Sequence, residues 1–156
     1  MFFIDSAGCD FQENPGDEED SKSNEGESDL VVAHVTNLIE AGIREQDIAI
    51  ITPYSAQVQL LKTKLAEDHP FLEIGTVDGF QGREKEAVVI SMVRSNSENE
   101  IGFLGDTRRT NVAITRARRH VAIVADSTTL SANDFLSRMV KYMEEHADVR
   151  SANEYI

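Results

Sequence analysis

The stretch TVDGFQGREKEAVVIS (residues 76–91) decides the reading of this chain, together with RRTNVAITRARRHVAIV (residues 108–124). Each pairs a polar turn, marked by glycine or arginine, with a short and nearly all-apolar run. Strands buried on both faces read as continuous apolar runs, and parallel sheets bury both faces. Each run therefore predicts a parallel strand with chemically loaded residues at its end. The second block also gathers Arg108, Arg109, Arg116, Arg118 and Arg119 within twelve residues that hold no acid. Such a cluster in an acidic chain points to a bound anion, and phosphate suits the guanidinium fork best.

Working outward, residues 2–5 read as a short buried strand ending in the small-residue turn Ser6-Ala7-Gly8. A helix is expected over 29–41, with Glu27 and Ser28 near its cap and Gly42 as its stop. Residues 47–52 form the next apolar run, ended by Pro53, and 54–68 is helical with Val58, Leu60, Leu61 and Leu65 inward. Residues 73–77 and 87–93 read as strands and 96–106 as a polar loop or small hairpin. A helix over 108–116, a strand over 120–126 and an amphipathic helix over 132–146 complete the chain. Strands alternating with helices imply an open α/β sheet with right-handed crossovers. Ligands of such sheets sit beyond the carboxyl ends of the strands. That rule gathers Asp5-Ser6, Thr52 to Ser55, Val77 to Gly79 and Ala125-Asp126 on one edge, with Arg116 on the loop feeding the last strand.

A length of 156 residues predicts one domain over 1–156. No apolar run approaches a membrane span. The first residues lack the basic region of a signal peptide. One cysteine, Cys9, excludes an internal disulfide framework, and four scattered histidines give a zinc site poor support. The formal charge of −13 is concentrated. Residues 10–29 carry nine acids against Lys22 alone, so that segment holds −8 of it. With its proline, glycines and serines, the part over 10–28 reads as a solvated, mobile loop.

Both blocks resemble the late motifs of superfamily 1B helicases, in the up-frameshift and immunoglobulin-mu-switch-binding branch. There, a RecA-like second motor domain carries VD-(G/A)-FQGRE and then RR-x-NVA-x-TRAR. The fold implied is a RecA-like, P-loop-NTPase-type parallel sheet flanked by helices. By that resemblance Arg116, the first arginine of TRAR, is an arginine finger in ATP hydrolysis, and Glu84 of QGRE contacts the nucleotide ribose. Gln81, Gly82 and Arg83 lie on the same turn. Thr52, Tyr54 and Ser55, with Thr76, Val77 and Asp78, grip single-stranded RNA or DNA, although Asp78 suits orienting a neighbour better. Each has a plainer reading: a structural arginine on a carboxylate, an ion pair at Glu84, a packed tyrosine, and a polar helix face at Asn111 and Thr115.

The chain has no Gly-x-x-x-x-Gly-Lys-Ser/Thr phosphate loop and no Asp-Glu pair closing an apolar strand. The resemblance puts both on an upstream RecA-like domain, which would also hold the Mg²⁺ of ATP. The reading is thus the C-terminal half of a 5′-to-3′ motor, inactive toward ATP by itself, in cytoplasm or nucleus. A catalytically inert RecA-like module that binds a protein partner is the alternative, with a flavodoxin-like small-ligand domain behind it.

Overall fold

Residues 1–80 and 84–155 are described by the structure, a computed structural model. Six strands, β1 (Phe2–Asp5), β2 (Ile48–Ile51), β3 (Glu73–Gly75), β4 (Lys85–Ser91), β5 (Ala117–Ala125) and β6 (Asp148–Ser151), form one sheet. Their order is β3-β2-β4-β5-β1-β6, and every pairing is parallel. The helices are α1 (Glu25–Glu40), α2 (Ser55–Leu65), α3 (Thr107–Thr115), a short α4 (Ser127–Leu130) and α5 (Asp134–His146). This is the RecA-like layered arrangement.

The strands are apolar throughout because alternate side chains feed two different cores. Ile48, Ile50, Val89, Ala122 and Val124 face Leu30, Val31, Val35, Val58 and Leu61 of α1 and α2. Ala49, Ile51, Val88, Ile90 and Ile123 face Ala113 of α3, Leu136, Val140 and Met143 of α5, and Tyr54 and Phe80. None of the described helices is long and apolar enough to cross a membrane.

Four expectations change. Helix α1 starts four residues earlier than expected, because Asn24 caps it by accepting from the Glu27 amide at 2.9 Å. β5 starts at Ala117, three residues before its apolar run, as Arg118 and Arg119 pair with Glu86 on β4. The 96–106 loop holds a 3₁₀ turn at Gly102–Gly105, not a hairpin. The fourth is the acidic segment, read as solvated but tied to the core. Arg94, at the end of β4, pairs with Glu13 at 2.8 Å and with Glu19 at 2.9 Å. Asp17, Glu18 and Asp20 remain exposed.

Candidate functional site

The anticipated residues separate onto two edges of the sheet. Thr52, Tyr54 and Ser55 follow β2 at the carboxyl edge. Glu84 and Arg116 immediately precede β4 and β5, so they lie at the amino edge, where the Lys85 amide donates to the Arg116 carbonyl at 2.9 Å. The expectation of a single loaded edge is corrected for a topological reason. A residue that leaves a crossover helix and enters a parallel strand must arrive at the amino end.

A cleft joins the two edges. Helix α3 crosses one face of the sheet beside the turn Val77–Phe80, and an open groove of about 480 Å³ runs between them. Its walls are Val77, Asp78, Asp106, Arg108, Arg109, Val112 and Arg116. Arg109, Val112 and Arg116 recur at helical spacing, so one stripe of α3 carries cations from end to end. Asp106 caps the helix, accepting from the Arg108 and Arg109 amides at 3.2 and 3.3 Å.

The cations in this groove differ in their commitments. Arg109 donates to Asp78 at 2.8 Å and lies over the Phe103 ring. Arg116 donates from Nε to the Val112 carbonyl at 3.3 Å. Among the described residues neither Arg116 nor Arg108 has a carboxylate partner. The plain reading of Arg116, an arginine neutralised at the sheet edge, thus lacks its carboxylate. Asp78 does orient a neighbour, namely Arg109. Thr115 bonds the Asn111 and Val112 carbonyls of its own helix, both at 3.0 Å, and holds nothing beyond it.

Glu84 accepts from Arg118 at 3.3 Å in an exposed pair, which water screens heavily. Gln81, Gly82 and Arg83 lie outside the described residues. At the carboxyl edge, Ser55 is exposed and donates to the Asp20 carbonyl at 3.2 Å. Thr76 and Asp78 are accessible and Val77 is buried. Thr52 is buried, and its hydroxyl has no partner among the described residues. Tyr54 is the clear correction: it is fully buried, its ring stacks on Phe103 at 5.2 Å, and it has no free face for a base.

Sequence reasoning missed a buried polar network behind this edge. Glu27, in the first turn of α1, accepts at Oε1 from the Ser91 hydroxyl and the Val93 amide, both at 2.7 Å. Its Oε2 has no partner among the described residues. Burial, only partly offset by those two bonds, pushes its pKa from 4.5 up to about 7. Asn24 Nδ2 donates to the Val93 carbonyl at 2.9 Å. Val93 is thereby held at φ 73, a rare backbone state for a β-branched residue, and the Arg94 amide closes a γ-turn on Met92 at 2.8 Å. That turn aims Arg94 across the carboxyl edge. The signal was present in Asn24-x-x-Glu27, the spacing of a capping box, and in an arginine directly after an apolar run.

The sequence profile of the AAA domain family (AAA_12) matches residues 1–128. The chain belongs to that family. Relatives extend the match to the end of the chain. It is 51% identical over 156 residues to rat DNA-binding protein SMUBP-2, covering all of this chain and 16% of that protein. Identity is 45% over 156 residues to the DNA polymerase alpha-associated DNA helicase A of Schizosaccharomyces pombe, covering 96% of this chain and 24% of that protein. It is 37% over 147 residues to the Regulator of nonsense transcripts 1 homolog of Neurospora crassa, covering 86% and 13%. This AAA domain is thus a helicase domain of the superfamily 1B, DNA2/NAM7-like kind, and it spans less than a quarter of the length of these relatives.

Proposed function

We infer that this chain is the C-terminal motor half of an ATP-dependent 5′-to-3′ helicase acting on single-stranded RNA or DNA. The observation that carries the reading is the groove along α3, where Arg116 and Arg108 have no carboxylate to neutralise them. Guanidinium groups so placed suit a triphosphate offered by a second domain across a cleft. In this reading ATP supplies the transferable phosphoryl group, and its Mg²⁺ is held by an upstream RecA-like domain. Among the described residues no group of three or more His, Cys, Asp or Glu side chains is arranged to hold a metal ion.

Arg116 then points its fixed charge at the terminal phosphate, where negative charge builds during transfer. Glu84 exchanges Arg118 for a ribose hydroxyl, with Gln81 and Gly82 on the same turn. Thr76, Val77 and Asp78 meet the strand's sugar and phosphate oxygens without reading sequence, as do Thr52 and Ser55. Tyr54 serves beneath them as packing. Because the groove touches both edges, a shift of α3 against the Val77–Phe80 turn moves nucleotide and strand contacts together.

The test is Arg116→Ala in this chain joined to an upstream RecA-like half. The reading expects strand-stimulated turnover to fall about 10³-fold or more, with the KM for ATP little changed. Undiminished turnover in that variant sinks the finger assignment and favours the inert, partner-binding module.

A further inference from the structure

Three donors converge on one oxygen of Glu19. The Tyr54 hydroxyl lies 3.0 Å from Oε1, Arg94 Nη1 2.9 Å and the Phe103 amide 3.2 Å. Gly102, at φ 48, makes the approach possible, because a Cβ there would collide with Glu19 Oε1 and Arg94 Nη1. A guanidinium, a phenol and a backbone amide gathered beside a glycine form an oxyanion pocket.

The donors and the occupant differ in how firmly they are built in. The Arg94 side chain is 2% exposed, and Glu13, itself nearly buried, holds its Nε from behind at 2.8 Å. Tyr54 is packed between that guanidinium and Phe103. The Glu19 side chain is 35% exposed and belongs to the outer acidic segment. Beside it the Ser55 hydroxyl is taken by the Asp20 carbonyl. The acidic segment therefore lies across the end of β2, over the residues that the proposed strand track needs.

We propose that this pocket is a binding site for a backbone phosphate of the single strand, and that Glu19 fills it when no strand is present. The proposal rests on the strand-track reading given above. Exchange of Glu19 for a phosphodiester leaves the buried Arg94 paired with an anion in both states, so the fold does not strand a buried charge. It also swings Asp17, Glu18 and Asp20 away from the strand, which removes their repulsion. The segment is then an internal mimic of the strand, and its release is coupled to strand binding.

Two substitutions separate the pocket from simple charge. Glu19→Ala empties it. Asp17→Ala removes the same charge from an exposed neighbour that touches none of the donors. Labelled oligouridylate, oligothymidylate and inorganic phosphate are titrated against each full-length variant and the parent chain. The expected result is strand binding about tenfold tighter for Glu19→Ala than for Asp17→Ala, the gain of roughly one charge-assisted contact. Equal affinities for the two variants overturn the pocket while leaving the strand track standing. No strand binding by any of the three chains overturns both. Phosphate that saturates Glu19→Ala without weakening strand binding assigns the pocket to a free anion and overturns the strand assignment. A readout on the parent chain covers a variant that fails to fold: trypsin should cut after Lys22 faster when strand is present, and an unchanged or slower rate overturns the release.

Discussion

Replacing Glu27 with Gln should make this protein less sensitive to alkaline pH, by an amount the structure sets. The carboxyl is buried, with one oxygen satisfied and the other bare, so its charged form is disfavoured and its pKa rises from 4.5 to about 7. A raised carboxyl pKa means that the folded chain holds a proton the unfolded chain has released. Folding stability is then greatest below pH 4.5 and is lost as pH climbs through 7. The full displacement is worth about 3 kcal/mol, of which roughly 2–3 kcal/mol falls between pH 5 and 8. Gln keeps an oxygen for Ser91 and the Val93 amide but cannot ionise. Its amide costs something where Oε2 stood, but that cost does not vary with pH. The diagnostic quantity is therefore the slope. Urea unfolding of both proteins, followed by circular dichroism from pH 5 to 8, should show Glu27→Gln gaining on the parent by that amount. A stability difference that stays constant across the range refutes the reasoning.

The neighbouring histidine tilts the other way. Burial, with His120 beside it, lowers the His34 pKa to about 4, so its stabilising contribution is present above pH 6.5 and fades as pH falls through 4. Glu27→Gln should accordingly lose stability on acidification from pH 6.5 to 4, a trend that Glu27 partly masks in the parent chain; pH-resolved thermal melts read it. Arg94→Met strands the nearly buried Glu13 carboxylate and should cost about 3–5 kcal/mol in urea unfolding, whereas Asp106→Ala removes a helix cap for about 1 kcal/mol. Ile50→Ala, in the middle of the sheet, should cost roughly 2–5 kcal/mol by the same assay, since its fully buried side chain leaves a cavity between β2 and the α1–α2 layer.

The fold was legible wherever a strand is buried on both faces, because an apolar run such as Ile48–Ile51 has few other uses in a chain punctuated by glycine and proline. β6 was not legible. Asp-Val-Arg-Ser pairs with β1 alone, carries two charges and buries almost nothing, so neither an apolar run nor an alternation announces it. The true start of β5 was hidden for a related reason: its charged residues are held by cross-strand partners rather than by burial. At the site, residue types marked α3 as the anion-facing helix, and the arginine stripe lines a groove. What spacing could not reveal was which edge each residue occupies, since that depends on crossover direction. Nor could it reveal that acids read as solvent-facing would fold back onto Arg94. Long-range pairs such as Arg94 with Glu13 leave no trace in a local window.

The central claim is that this chain completes an ATP site which it cannot form alone. The most direct measurement is strand-stimulated ATP hydrolysis by the chain by itself and after fusion to an upstream RecA-like half that carries its own phosphate loop. The account predicts no turnover from the chain alone, turnover on joining, and its loss in the joined Arg116→Ala protein. Turnover by the isolated chain, or a folded fusion that stays silent with strand and ATP present, would contradict it.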